Sequence, residues 1–174
     1  MTNQVLEALA PHFYQLAYLV RDLEAAEQWF QRILGVPSFF RMDNVTFGPN
    51  CSYRGRPADS VANVSLGYFR DTQIELIEPV RGTSLYTEFL DQKGPGLHHV
   101  AFDVPDFSAT VAFLRESGLE MLTGGPVGPG TDFAYFDCEA AGASVIEILG
   151  FDENIRGFME QLRKQSSEAE GSQA

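Results

Sequence analysis

Cysteine is scarce in this chain. Cys51 and Cys138 are its two thiols, too few and too far apart for a disulfide framework or a zinc ribbon. Two free thiols point to a reducing, cytoplasmic setting. Basic residues are short as well: 24 acidic side chains face 12 Lys and Arg, a formal charge of −12. That balance excludes nucleic acid as a partner, which needs a clustered cationic face. No apolar run reaches the length of a membrane span, and the first residues lack the h-region of a signal peptide, so no membrane partner is expected. What is present argues for a packed core. Hydrophobic residues make up 44% of the 174 positions and phenylalanine alone supplies 14, against the composition of a disordered chain. The length suits one well-cored domain or two small fused modules.

An internal repeat decides between these. Gln15-Leu16-Ala17-Tyr18-Leu19-Val20-Arg21-Asp22-Leu23 lies over His99-Val100-Ala101-Phe102-Asp103-Val104-Pro105-Asp106-Phe107 without a gap. Alanine, aromatic, valine and aspartate coincide. Each copy alternates with the period of a strand, then meets an aspartate able to cap a helix. Each helical pattern stops at a glycine, Gly35 or Gly118, and each half closes on a similar strand, Gln73 to Ile77 and Ser144 to Ile148. Two tandem copies of one unit follow. The expected fold class is α+β: two βαβββ modules forming a cupped, partly closed mixed sheet.

The expected boundaries are a lead-in over 1–12, a first module over 13–80, a linker over 81–96 and a second module over 97–150. An amphipathic helix over 151–164 carries Ile155, Phe158, Met159 and Leu162 on one face, and a disordered tail is expected over 165–174. The first module holds the longer middle stretch, read as a polar loop from Asp43 to Asp59; a second loop is expected from Gly124 to Gly130. Loops of such length are often functional.

The repeat also predicts a site. If the modules pair about a pseudo-twofold axis, Gln15 and His99 from the two first strands converge with Glu75 and Glu147 from the two last strands. Each glutamate sits between isoleucine or leucine neighbours that face the opposite way. A carboxylate at the centre of an apolar strand is costly to bury unless paired or metal-bound. Four such donors make an octahedral site with two open positions, suited to Mn²⁺, Co²⁺, Mg²⁺ or Fe²⁺. His98, on the opposite face by alternation, is expected to be structural or at the surface. Arg54 and Arg56 in the polar loop are the candidate groups for an anionic substrate. Tyr68 and Tyr135 are candidate pocket walls.

Around Gln73-Ile74-Glu75-Leu76-Ile77-Glu78-Pro79 and Gly94-Pro95-Gly96-Leu97-His98-His99-Val100-Ala101-Phe102 the sequence resembles the vicinal oxygen chelate superfamily, and within it the methylmalonyl-CoA epimerase-like members. The resemblance spans Phe13 to Gly150. It implies metal ligands at Gln15, Glu75, His99 and Glu147, with Gln15 departing from the usual histidine. It further implies a metal-dependent epimerase, isomerase or lyase that forms an enolate on a small oxygen-chelating substrate. Glu75 and Glu147 are then the candidate bases, with Asp59 a weaker candidate for a separate acid, and the protein a homodimer. The alternative within the same family is a non-catalytic binding protein for an antibiotic or aromatic compound.

Overall fold

The computed structural model describes residues 2–47, 50–138 and 145–171. Gly48 and Pro49 of the expected loop, Ser144 of the expected last strand and residues 172–174 of the expected tail lie outside them. A helix α1 (Thr2–Leu9) and a short 3₁₀ turn precede β1 (Phe13–Leu19). Helix α2 (Leu23–Trp29) continues as a π-helical turn over Phe30–Leu34 and ends at Gly35, whose left-handed φ of 74° is the usual helix stop. Then come β2 (Phe39–Thr46), β3 (Ser52–Tyr53), β4 (Arg56–Pro57), β5 (Val61–Phe69), β6 (Thr72–Arg81) and α3 (Leu85–Gln92). The second half supplies β7 (Gly96–Asp103), α4 (Phe107–Glu116), β8 (Met121–Pro126), β9 (Thr131–Asp137), β10 (Val145–Phe151) and α5 (Glu153–Gly171). Asp22 and Asp106, equivalent in the repeat, both act as N-caps and accept from the backbone N–H three residues on, at 2.9 Å.

The strands form one sheet in the order β2-β5-β6-β1-β7-β10-β9-β8-β3-β4. Its centre is symmetric. β1 and β7 run antiparallel, and each has a parallel outer neighbour, β6 and β10. Ala17 lies opposite Glu75 and His99, while Ala101 lies opposite Glu147 and Gln15. This is the pairing a twofold relation demands. The sheet curls into a cup: Phe47, just past the edge strand β2, packs against Phe133 of β9 with ring centroids 5.8 Å apart. α2 covers one flank of the outer face over Leu23, Phe30, Ile74 and Leu76. α4 covers the other over Leu114, Phe136 and Ile148. Fully burying side chains of this size stabilises by about 1.5–3 kcal/mol each.

Two expectations are corrected. The polar stretch from Asp43 to Asp59 is not one loop. β2 runs to Thr46, and β3 and β4 form a small hairpin that joins the far half of the sheet, with Tyr53 paired to Thr123 of β8. The glycine pair read as the start of a loop belongs to β8. A Cβ on Gly125, whose φ is 144°, would stand 2.5 Å from Asn50 O, so the glycine lets the incoming chain lie against the edge. Exposed edge groups on β8 gain partners by this annexation. The tail is also more ordered than its polarity implied. α5 continues past Lys164 to Gly171 with Ser166 buried, because contacts to the sheet outweigh composition.

Candidate metal centre

Period two and the register place Gln15, Glu75, His99 and Glu147 on the inner face of four adjacent central strands. The residues between them are Ala17 and Ala101, both fully buried. Small side chains there leave room for longer neighbours to reach across, and the Ala-on-Ala match in the repeat was the sequence signal for it. His99 Nε2 lies 3.0 Å from Glu147 Oε2 and 3.4 Å from Glu75 Oε2. One donor atom from each of the three falls within 4.8 Å of the others, the spread expected of donors around one ion at about 2.0–2.6 Å.

The protonation pattern follows from burial and charge. Burial presses the His99 imidazolium down, but Glu147 and Glu75 overcome it and raise the pKa to about 9. Burial pushes the Glu147 carboxyl up, with His99 opposing it. Without a cation, this buried cluster therefore holds a proton at neutral pH. His98 Nδ1 and His99 Nδ1 are 2.9 Å apart. Burial, then the neighbouring His99 charge, drive the His98 pKa down to about 2, so His98 is neutral and free to accept from His99. His98 is therefore structural, as expected, but is not turned away from His99 as alternation predicts. The register steps from Ala17↔His99 to Tyr18↔Leu97, a β-bulge that turns His98 out of strict alternation. Tyr14 is the equivalent extra residue on β1, between the Phe13 and Gln15 pairings. Rings of Tyr86, Phe89 and Tyr135 enclose His98. Burying a histidine beside its neighbour cannot be read from alternation alone.

The donor set fits a hard or borderline divalent ion. Gln15 Oε1 and His99 Nε2 are buried polar atoms without a hydrogen-bond partner. His99 Nε2 lies within ion-pair reach of both carboxylates, yet its N–H is aligned on neither. Orphaned donors and acceptors are costly in a protein interior, and a cation coordinated by both would remove the cost.

A cavity of about 470 Å³ opens from Gln15, Glu75 and Glu147 into the cup. Its walls are chiefly apolar: Val64, Leu66, Phe133, Leu149 and Phe151, with Tyr135 beside the donors. α5 forms the remaining wall through Ile155, Phe158 and Met159. Arg156 fastens that helix by an ion pair to Asp103 and a 3.0 Å bond to Val104 O, and Arg163 reaches Asp71 at 2.8 Å. Glu75 and Glu147 are the two carboxylates that line the cavity among the described residues.

Arg54, Arg56 and Tyr68 do not line this cavity, contrary to expectation. Arg54 turns outward to Glu88 at 2.9 Å, because the β3–β4 hairpin carries it to the other end of the sheet. Arg56 is exposed on the same hairpin, and Asp59 is exposed outside the cavity. Tyr68 is buried behind Gln15, bonded to Tyr14 and Gln73. All 12 Lys and Arg lie among the described residues, and none lines the cavity.

A cup built from two βαβββ halves, with donors from its four central strands meeting at the axis, is the architecture of a vicinal oxygen chelate protein. The model of the Glyoxalase/Bleomycin resistance protein/Dioxygenase superfamily matches residues 14–136, and the chain belongs to this family. Among curated proteins it is 31% identical over 109 residues to the mitochondrial methylmalonyl-CoA epimerase of Mus musculus, covering 62% of this chain and 54% of that protein. It is 25% identical over 103 residues to the uncharacterized protein YqjC of Bacillus subtilis (strain 168), covering 59% of this chain and 64% of that one. The alignments thus span between about half and two thirds of these relatives. Among solved structures, methylmalonyl-CoA epimerase from Mycobacterium tuberculosis superposes with a TM-score of 0.67 at 21% identity, over 86% of this chain and 93% of that one. A Streptomyces coelicolor methylmalonyl-CoA epimerase variant in complex with 2-nitronate-propionyl-CoA gives 0.61 at 19% identity, over 80% and 96%. These structural likenesses establish the fold.

Proposed function

We propose that the protein is a metal-dependent isomerase of the epimerase kind, acting on an oxygen-chelating acyl substrate through an enolate-type intermediate. The observation that carries this is the convergence of His99 on Glu147 and Glu75, at 3.0 and 3.4 Å, on the inner face of an apolar cavity. Its likeness to methylmalonyl-CoA epimerases supports the same class. A divalent ion held by Gln15, Glu75, His99 and Glu147 would supply positive charge against the substrate oxygens.

The chain's own residues do the rest. One carboxylate, Glu75 or Glu147, takes the proton from the carbon beside a carbonyl, and the C–H electron pair moves onto the carbonyl oxygen. Returning a proton to the opposite face inverts the centre. Glu75 on β6 and Glu147 on β10 flank the central β1–β7 pair, so a proton can be taken on one side and given on the other. The apolar walls exclude water from the carbanionic carbon. With no Lys or Arg along them, they suit an acyl group whose oxygens meet the donor cluster and whose carbon chain is apolar, the thiol part of a thioester lying outside the cavity. Homodimerisation and a cytoplasmic setting belong to this reading too. Trp29, Ile33 and Leu34 form an exposed apolar strip that a second copy would cover, and neither Cys51 nor Cys138 is in a disulfide.

Exchange of the α-proton of 2-methylacyl-CoA thioesters with deuterated solvent tests the proposal. The wild type should incorporate deuterium at the α-carbon, and Glu147→Gln should lose at least about a hundredfold in rate. Undiminished exchange in that variant would sink it. The size and apolarity of the cavity favour one second reading, sequestration of an aromatic compound without turnover. Tight binding by chelator-treated protein, with no exchange on any thioester, would select that instead.

A further inference from the structure

Gln15 occupies the one donor position where an amide could offer either oxygen or nitrogen, and the surroundings decide which. Gln15 Nε2 stands 2.8 Å from Gln73 Oε1. Behind it, Gln73 Nε2 lies 2.9 Å from both the Tyr14 and Tyr68 hydroxyls, and those hydroxyls are 2.8 Å from each other. Three contacts close this triangle, and each needs one proton. If Gln73 faced the tyrosines with its oxygen, two hydroxyl protons would have to serve all three, leaving one pair of oxygens in bare contact. Facing them with its NH₂, it brings two protons of its own and every contact is satisfied. Met159 Sδ, a weak acceptor, sits 3.5 Å from the same nitrogen. A tyrosine hydroxyl carries its proton at neutral pH. The oxygen of Gln73 is thereby turned to Gln15, which must answer with N–H. Its own Oε1 is left buried without a hydrogen-bond partner.

We propose that Gln73, oriented by Tyr14 and Tyr68, is a positioning residue that makes Gln15 present its oxygen, and so completes the centre as a three-oxygen, one-nitrogen site for a hard divalent ion. This rests on the metal-binding reading above. The relay replaces the imidazole of the usual ligand at this position with an amide of fixed polarity, doing for Gln15 what His98 does for His99 on the equivalent strand. Residues that orient a ligand typically matter 10–100-fold in metal affinity.

The test is Mn²⁺ affinity, read from the free-ion electron paramagnetic resonance signal, for chelator-stripped wild type, Gln73→Leu and Gln73→Glu. Both changes are repeated in a Gln15→Ala background, with near-ultraviolet circular dichroism to confirm folding. Gln73→Leu should weaken binding by about 10–100-fold. Gln73→Glu, whose carboxylate still accepts from Gln15 but brings the tyrosines no protons, should lose less than about tenfold, which keeps the test decisive if the leucine variant does not fold. In the Gln15→Ala background neither change should have a further effect beyond about twofold, the signature of two residues acting as one. An unchanged affinity in folded Gln73→Leu would overturn the proposal. So would an equal loss with Gln15 present or absent, or a loss well above tenfold in folded Gln73→Glu. If wild type binds no Mn²⁺, the metal reading itself fails, a result distinct from wild-type binding that His99→Ala abolishes while Gln73→Leu leaves it intact.

Discussion

Chelator-stripped protein should lose stability as the pH rises from 6.5 to 9, and the size of the loss follows from His99. Its imidazole moves from 6.5 in the unfolded chain to about 9 in the fold. A folded pKa above the unfolded one stabilises below the unfolded value and ceases to do so as pH rises through the folded value. The contribution is therefore complete at pH 6.5 and gone above 9. Its magnitude is roughly 3 kcal/mol, which for a chain of this length is about 6–12 °C in Tm. Glu147, whose carboxyl burial pushes up against the opposing His99 charge, shares the proton of the cluster and adds a fall of the same sign. His98, held down to about 2, has its effect finished by pH 6.5, and burial places the change at the Cys138 thiol above 9. The assay is thermal and urea denaturation at half-unit steps of pH, for wild type and His99→Gln without metal. Wild type should fall through the window, and the variant should start lower and fall less steeply. A level wild-type profile, or an equal slope in His99→Gln, would refute the reasoning. Saturating Mn²⁺ should reverse the trend, because binding expels the His99 proton and apparent affinity should rise about tenfold per pH unit up to 9.

Phe158→Ala should open the wall that α5 gives to the cavity and remove the ring that meets Phe40 edge to face at 5.0 Å. Titration with a fluorescent aromatic ligand should show at least about tenfold weaker binding, or about 1.4 kcal/mol, with Mn²⁺ affinity unchanged. Leu114→Ala removes a fully buried side chain between α4 and the sheet. It should cost about 2–5 kcal/mol in urea denaturation without altering the pH profile of the site.

The convergence of Gln15, Glu75, His99 and Glu147 was legible in the sequence because a strand repeats every two residues and the two halves align without a gap. Once His99 matches Gln15, and Glu147 matches Glu75 through the closing strands, a twofold relation places all four together. Failures came where neighbours distant in sequence override the local pattern. Arg54 reads as a loop cation, yet its hairpin is claimed by an edge strand 70 residues on. Tyr68 reads as a pocket wall and instead holds the amide behind the wall. The run after Lys164 is polar enough to leave the fold, but the helix it extends is tied to the sheet through Arg156 and Arg163.

Alternation and the internal repeat, both local properties of the chain, settled the fold class, the helix caps at Asp22 and Asp106, and which side chains share the inner face. The bulges at Tyr14 and His98, the amide polarity of Gln15 and the placing of α5 over the cup were decided only when the strands met. Each depends on hydrogen-bond partners supplied across the sheet, and a strand's own sequence carries no record of which partner will face it.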